Sequence, residues 1–377
     1  MVFVYGFITL GLLVFTHEFG HFLLAKAFRV QVEEFGFGYP PRLGGLVKSK
    51  GKTKFFWGKK NPKADKGATI YSLNWIPFGG FNKIKSEFGR SKELDSFSGQ
   101  VWWKKILIAL GGVLGNIAWA ILIFTICLSL GVPQVVESEG VPATLGVQVL
   151  AVNPSSPAEK AGILPGDIIS KIDGEEFSSV EDVQAYIKEK NNISIVLEIK
   201  RGEKFLSLEV IPEPAKNVFS DLKEDYGVIG ISLGETSLVS YPWYKSFILA
   251  IKQTFALIGL SFNGLWLMLK AIFGKGAMIG EVIGPVGLVS MSGQIAKVGF
   301  VYFLQTMGLL SVALAVCQLI PFPGLDGSRI IFALIEGARK GRQIPQKTEE
   351  SIISIGFCLL MLLMIFVTYK DITKLIF

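Results

Sequence analysis

Long uninterrupted apolar runs alternate with polar stretches along this chain, and the lengths of the runs decide what they can become. Four of them carry almost no charge: Val2 to Ala25, Ile106 to Leu130, Val298 to Ile320 and Ile352 to Tyr369. Each is long enough to cross a hydrocarbon core of about 30 Å as a helix. The stretch from Trp243 to Phe273 is also apolar, with no charge between Gln253 and Leu269, but Lys245, Lys252, Lys270 and Lys275 flank its centre. It reads as helix lying in the membrane interface or tucked against the bundle. Between the first two runs, the strand-like pieces Val32 to Tyr39 and Thr69 to Phe78 surround a basic stretch, Lys48 to Lys66, that reads as a solvated connector. The second piece runs into Gly79-Gly80, a pair suited to a tight turn whose apolar flanks predict a hairpin dipping into the membrane. From Ala143 to about Leu233 the pattern shortens, as in a compact domain of short strands with a helix.

Composition turns these runs into a class. Half of the 377 residues are hydrophobic and only 18% are charged, with a mean hydropathy of +0.47. An ordinary soluble chain of this length is far more polar, so a polytopic α-helical membrane protein with about four transmembrane helices is expected. The first run lacks a basic leader and a small-residue cleavage site, so it is expected to stay in the mature protein. A net charge of +7 raises the question of nucleic acid, but the charge is segregated. Lys26 to Lys105 holds 17 Lys and Arg against 6 Asp and Glu, whereas Gly131 to Ser240 holds 9 against 18. That asymmetry reads as topology, with no nucleic-acid partner: the basic loop faces the cytoplasm, while the N-terminus and the acidic domain face outward. Cys127, Cys317 and Cys358 each fall within an apolar run without metal-like spacing and read as buried thiols.

The only two histidines, His17 and His21, fall four apart inside the first run, as His17-Glu18-Phe19-Gly20-His21. On a helix the two imidazoles stand about 40° apart and one turn apart, so both can reach one metal ion. Glu18 lies about 100° round from His17, close enough to act on water at that ion without being a ligand. An unpaired carboxylate among Val14, Phe15, Phe22 and Leu23 is costly, and a bound cation offsets that cost.

Catalytic zinc takes three protein ligands and keeps one position for water. No third histidine exists, so an acid or a thiolate must serve. Asp326 stands in Pro321-Phe322-Pro323-Gly324-Leu325-Asp326-Gly327, directly after the third run and on the expected cytoplasmic side. The two prolines break the helix, and freed backbone at membrane depth is tolerated only where protein or water satisfies it. Glu281, Glu336 and Cys317 are further candidates.

Taken together these residues carry a resemblance. Val152-Asn153-Pro154-Ser155-Ser156-Pro157-Ala158, Ala161 to Ile169 and Lys171-Ile172-Asp173-Gly174 resemble a PDZ domain of the circularly permuted bacterial kind, with Tyr226 to Ile231 where such domains receive a peptide terminus. The histidine motif, Phe35-Gly36-Phe37-Gly38, Ile76-Pro77-Phe78-Gly79-Gly80, the PDZ-like insert, Gly284-Pro285-Val286-Gly287 and Leu325-Asp326-Gly327 occur in the order seen in bacterial site-2 proteases. The resemblance covers nearly the whole chain and implies a zinc intramembrane metalloprotease with one PDZ domain.

It implies His17, His21 and Asp326 as Zn²⁺ ligands and Glu18 as the catalytic acid, with Asn116, Gly79, Gly80 and Gln318 at the substrate; for Asn116 an interhelical hydrogen bond that packs two spans is an equal alternative. Two positions depart from the family pattern: Val113 replaces a proline, and Gln318 replaces an asparagine. The implied partners are single-span membrane proteins such as anti-sigma factors or remnant signal peptides, peptide termini at the PDZ-like domain, and the lipid bilayer. The implied location is the bacterial inner (plasma) membrane, multi-pass, with the N-terminus and the inserted PDZ-like α+β domain extracytoplasmic. The expected parts are 1–131, an N-terminal membrane part with a membrane-associated β-hairpin; 140–235, the PDZ-like domain; 241–297, an interfacial helical segment; and 298–377, a C-terminal membrane part. The rival from another class is a membrane adaptor with structural zinc, although an open ligand set beside Glu18 favours an enzyme.

Overall fold

The computed structural model describes residues 2–58, 65, 67–87, 89, 91, 93–135, 146–177, 179–218, 225–273 and 284–376. The chain opens with α1 (Val2–Ala27), then β1 (Val32–Ser49), β2 (Lys52–Trp57), β3 (Ile70–Ile84) and α2 (Trp102–Leu130). Short elements follow: β4 (Val132–Val135), β5 (Gly146–Val152), α3 (Pro157–Lys160), β6 (Ile168–Ile172), β7 (Glu175–Glu176), α4 (Val180–Glu189), β8 (Ile195–Arg201), β9 (Lys204–Val210), β10 (Glu213–Pro214), α5 (Ala215–Val218), β11 (Gly227–Val228) and β12 (Ile231–Val239). Five helices complete the chain: α6 (Trp243–Phe273), α7 (Pro285–Val298), α8 (Phe300–Gln318), α9 (Asp326–Ala338) and α10 (Gln346–Ile376). Two compact units result, one of residues 1–123, 249–292 and 307–377, the other of 124–248 and 293–306.

Among the described residues five helices are long and apolar enough, by length and composition, to cross a membrane: α1, α2, α6, α8 and α10. The stretch expected in the interface forms α6, a single unbroken helix of 31 residues. Its flanking lysines do not interrupt it, because lysine is a good helix former and its cost in lipid is eased near helix ends.

In the first unit α1 and α2 cross at glycine. A Cβ on Gly20 would lie 1.9 Å from the Gly111 carbonyl oxygen, and one on Gly115 would lie 2.4 Å from that of Thr16. Small residues at this spacing let two backbones approach in lipid, where packing replaces the hydrophobic drive. Beside them β2, β1 and β3 form a sheet in the order β2-β1-β3. Val32–Phe37 pairs with Gly80–Ile84, and Arg42–Val47 with Ile70–Asn74. Phe35 meets the rings of Phe15, Phe19 and Phe22, which seats the sheet on α1.

Two local expectations are corrected here. Lys48 to Trp57 is not a solvated connector: β1 and β2 form an antiparallel hairpin turning at Lys50-Gly51, both at positive φ (53° and 71°), as a two-residue hairpin turn requires. Residues 59–64 and 66 of that stretch lie outside the described residues. Gly79-Gly80 ends a wider reversal than the tight turn expected, because Glu34–Phe37 lies between the two arms of β3, paired with Ile70–Leu73 on one side and Gly80–Lys83 on the other. The two glycines lie within β3, where the pairing steps from Phe37↔Gly80 to Tyr39↔Ile76, two residues on β1 against four on β3. The extra residues bulge and bend the strand, and Gly79 takes φ +69° at the bend.

A buried polar cluster ties β1 to β3 inside the sheet. Glu34 accepts hydrogen bonds from Arg42 and, at 2.7 Å, from the Ser72 hydroxyl. Burial pushes the Glu34 carboxyl up, but these hydrogen bonds outweigh it and hold the group below the ordinary carboxylate range.

The second unit is built on a sheet ordered β4-β12-β5-β6-β8-β9, with β7 paired to β6. Its core comprises Val147, Val149, Ile169, Ile172, Leu197 and Ile199, with Val183 and Ile187 contributed by α4. Ser179 caps α4 by accepting from the Asp182 N–H. The Gly166-Asp167 turn is locked by Arg201, whose Nε and Nη2 reach the fully buried Asp167 carboxylate at 2.7 and 2.6 Å. Of the three thiols only Cys127 is buried; Cys317 and Cys358 lie on exposed faces of helices that remain apolar without being covered by protein.

Gly115→Leu is expected to force α1 and α2 apart and to lower stability by about 1–3 kcal/mol. Thermal unfolding of the detergent-solubilised chain, with zinc content measured alongside, checks this outcome.

Candidate metal centre

Elements remote in sequence bring one acid to two histidines. α1 carries His17 and His21 on one face, one turn apart. Their Nε2 atoms lie 3.2 Å apart, and Asp326 Oδ2 lies 3.1 Å from each. All three residues are buried. Asp326 arrives there because α8 ends at Gln318 and α9 begins at Asp326, with Pro321 and Pro323 between them. The break satisfies its own backbone: Phe322 donates to the Ile320 carbonyl at 2.7 Å, Leu325 to that of Phe322 at 3.0 Å, and the Ser328 hydroxyl to that of Leu325 at 2.7 Å. At Gly327 a Cβ would lie 2.3 Å from the Ile320 carbonyl oxygen, so glycine lets α9 start this close to the end of α8.

The helix behind sets the rings. His21 Nδ1 lies 2.8 Å from the Ile108 carbonyl oxygen on α2, which can only accept, so Nδ1 carries the proton and Nε2 presents its lone pair. Gly112, also on α2, leaves room for the other ring: a Cβ there would fall 2.3 Å from His17 Cε1. Asn116 is fully buried, with its amide 3.4 Å from His17 Nδ1 and its Oδ1 accepting from the Thr16 hydroxyl at 3.1 Å. It bonds α2 to α1 behind His17, as the helix-packing alternative has it, and is not among the residues lining the cavity described below.

Two imidazole nitrogens and a carboxylate oxygen directed at one another form a donor set that suits a cation. Lone pairs converging at 3.1–3.2 Å repel unless a proton or a metal lies between them. Ligand bonds of about 2.0–2.1 Å in tetrahedral zinc put neighbouring ligand atoms about 3.3 Å apart, close to this spacing, and three ligands leave a fourth position for water.

A cavity of about 390 Å³ opens onto the three residues. Glu18, Tyr39, Asn82, Gln318 and Arg329 share its lining, and Arg329 forms an ion pair with Glu87, which borders it too. Gly79 and Gly80 do not line it. They press against α1, where a Cβ on Gly79 would meet Val14 Cγ1 at 2.8 Å, and Phe81, Asn82 and Ile84 form the strand's border of the cavity. Of the other acids and thiols considered, Glu336 is paired with Lys105 Nζ at 2.7 Å, Cys317 is exposed, and Glu281 lies outside the described residues. Ile108 and Gly112 escape sequence reasoning because one acts through its backbone oxygen and the other through a missing side chain. The Gly111-Gly112 and Gly115 spacing was the available signal for close helix contact.

In the second unit, Tyr226 to Ile231 lines a groove of about 230 Å³ with Gln184, Ile187 and Lys188 of α4. It lies where a peptide-receiving strand was expected.

Comparison with known proteins agrees with this chemistry. A Clostridium perfringens chain named provisionally as a zinc metalloprotease is 33% identical over 99% of this chain and 98% of its own length. A chloroplast membrane metalloprotease of Arabidopsis thaliana is 28% identical over 95% of this chain and 76% of its own. The solved PDZ domain of the SdrC-like protein from Listeria monocytogenes is 30% identical over 24% of this chain and 87% of that one, at a TM-score of 0.21. The sequence pattern of peptidase family M50 matches residues 5–363. With that match spanning nearly the entire length, the chain belongs to peptidase family M50 and is a zinc metalloprotease of the site-2 type, set in a membrane by several apolar helices.

Proposed function

We propose that this enzyme is an intramembrane endopeptidase of the bacterial inner (plasma) membrane, cutting single-span membrane proteins at or within their helices. One observation carries the reading: three ligand atoms within 4.8 Å of one another, two of them on a helix long and apolar enough to span, with Glu18 on the same cavity. In this reading His17, His21 and Asp326 hold the metal. Bound zinc supplies a Lewis acid that polarises the scissile carbonyl and makes water acidic enough to attack near neutral pH. Glu18 takes the proton of the attacking water and returns it to the leaving nitrogen. Ile108, through its carbonyl, and Asn116, through its amide, hold the two imidazoles in orientation. Gln318 borders the same cavity and meets the substrate backbone.

A peptide bond in a helix is shielded by its own hydrogen bonds, so the bound segment must unwind and be held extended. β3 stands at the edge of its sheet and runs past the cavity, which suits strand addition. The basic loop between α1 and α2 orients to the cytoplasm, and the acidic PDZ-like domain, 140–235, to the outside. There its groove beside α4 receives peptide termini and screens or recruits substrates, such as anti-sigma factors or remnant signal peptides.

Glu18→Gln is expected to retain zinc and to lose cleavage by about 10²–10⁴-fold. Cleavage mapping on a spanning model substrate checks it: a cut inside the apolar segment by wild type and none by the variant supports the reading. Cuts confined to soluble flanks point instead to a protease working at the membrane face. Asp326→Ala is expected to strip zinc from the purified chain, as read by metal analysis, and full occupancy at unchanged affinity moves the third ligand elsewhere.

A further inference from the structure

Asn82 lies on the part of β3 that borders the metal cavity, in register with Phe35 across the sheet. Phe35 packs on the rings of Phe15 and Phe22 of α1, so the cross-strand neighbour of Asn82 offers its amide no partner. Both polar atoms of the Asn82 side chain are buried and neither has a hydrogen-bond partner. Exchanging the oxygen and nitrogen positions changes nothing, since both are unmet. Gln318 Oε1, on the α8 border of the same cavity, is buried and unmet as well. Native interiors pair nearly all such groups, and the whole Asn82 amide together with the Gln318 oxygen left unmet on one cavity points to a partner that arrives from outside.

We propose that Asn82 is a substrate-binding residue that takes one peptide group of the extended chain entering the cavity, with Gln318 facing it from α8. The inference rests on the proteolytic reading of the site and assigns a substrate contact that neither the metal ligands nor Glu18 provide. A carboxamide has one acceptor and one donor group, the complement of a peptide N–H and C=O. A strand added at the β3 edge brings those groups alongside Asn82, and the buried amide then gains the bonds it lacks in the free enzyme. An extended polypeptide backbone is thus the ligand class, recognised without regard to side-chain identity.

The test compares full-length, zinc-loaded wild type with Asn82→Leu, a change of similar volume that removes the amide. Two probes are titrated: acetohydroxamate, which engages the metal alone, and an N-acetyl tetrapeptide hydroxamate, which adds an extended backbone. Zinc content and the affinity for acetohydroxamate are expected to stay unchanged. Affinity for the peptide hydroxamate should weaken about tenfold, as loss of a buried hydrogen-bond pair implies. Tm should hold or rise, because an unmet polar group has been removed from the interior. Equal peptide-hydroxamate affinity in the two proteins overturns the proposal. So does a fall in Tm with both probes weakened alike, which marks a structural residue. If Asn82→Leu does not assemble, Asn82→Asp, equal in size but without the N–H donors, is read by the same two titrations. Neither titration requires cleavage, so failure of the intramembrane reading appears separately, in the mapped cut position of a spanning substrate.

Discussion

The close approach of α1 to α2 is the constraint on which the site depends. Gly20 faces Gly111 and Gly115 at distances that leave no room for a Cβ, and only at that separation can His21 Nδ1 reach the Ile108 carbonyl at 2.8 Å. The bond determines which imidazole nitrogen faces inward, and Gly112 clears the space into which the His17 ring turns. Helix packing and ligand preparation are therefore one event: the glycines that let two spans pack in lipid also set the protonation and direction of the imidazoles.

The second requirement is an interrupted helix. An unbroken helix continuing from α8 would carry position 326 two turns beyond Gln318, whereas Pro321 and Pro323 end α8 and let α9 restart at Asp326. Irregular backbone is costly at membrane depth, and here the cost is offset by local bonds among Ile320, Phe322, Leu325 and Ser328. The same device recurs at α7, where Asp371 of α10 accepts from the Gly284 and Gly287 N–H groups at 3.2 and 2.8 Å and so meets the exposed donors of a helix start.

The β1–β3 sheet joins this helical frame to the chemistry. Its Phe35 end is seated on α1 through aromatic contacts, while Leu46, Phe55 and Trp57 stay exposed. The bulged bend at Gly79 turns β3 so that Phe81 and Asn82 border the cavity. The unmet Asn82 amide and Gln318 oxygen are the observation behind the proposed peptide contact, because a protein tolerates unpaired buried groups chiefly where function uses them.

How much of this was legible in the sequence follows from the range of each interaction. The pairing of His17 with His21, and the place of Glu18 beside them, depends only on helix geometry over four residues, so the spacing already contained it. The apolar runs likewise announced a membrane protein, since the length needed to cross a bilayer is a local property. Asp326 could be nominated from its broken-helix setting, but its approach to His21 across 305 residues was beyond local reasoning. The Lys50-Gly51 hairpin and the bend at Gly79-Gly80 were misjudged because strand register is decided by the partner strand. The sequence by itself determined the long apolar helices and the spacing of the histidine pair, and it offered Asp326 among several acids and thiols as a partner for them. Only the tertiary structure decided that Asn116 lies behind His17, that Ile108 and Gly112 prepare the rings and that Asn82 borders the cavity, because those facts arise from contacts between elements that no local pattern encodes.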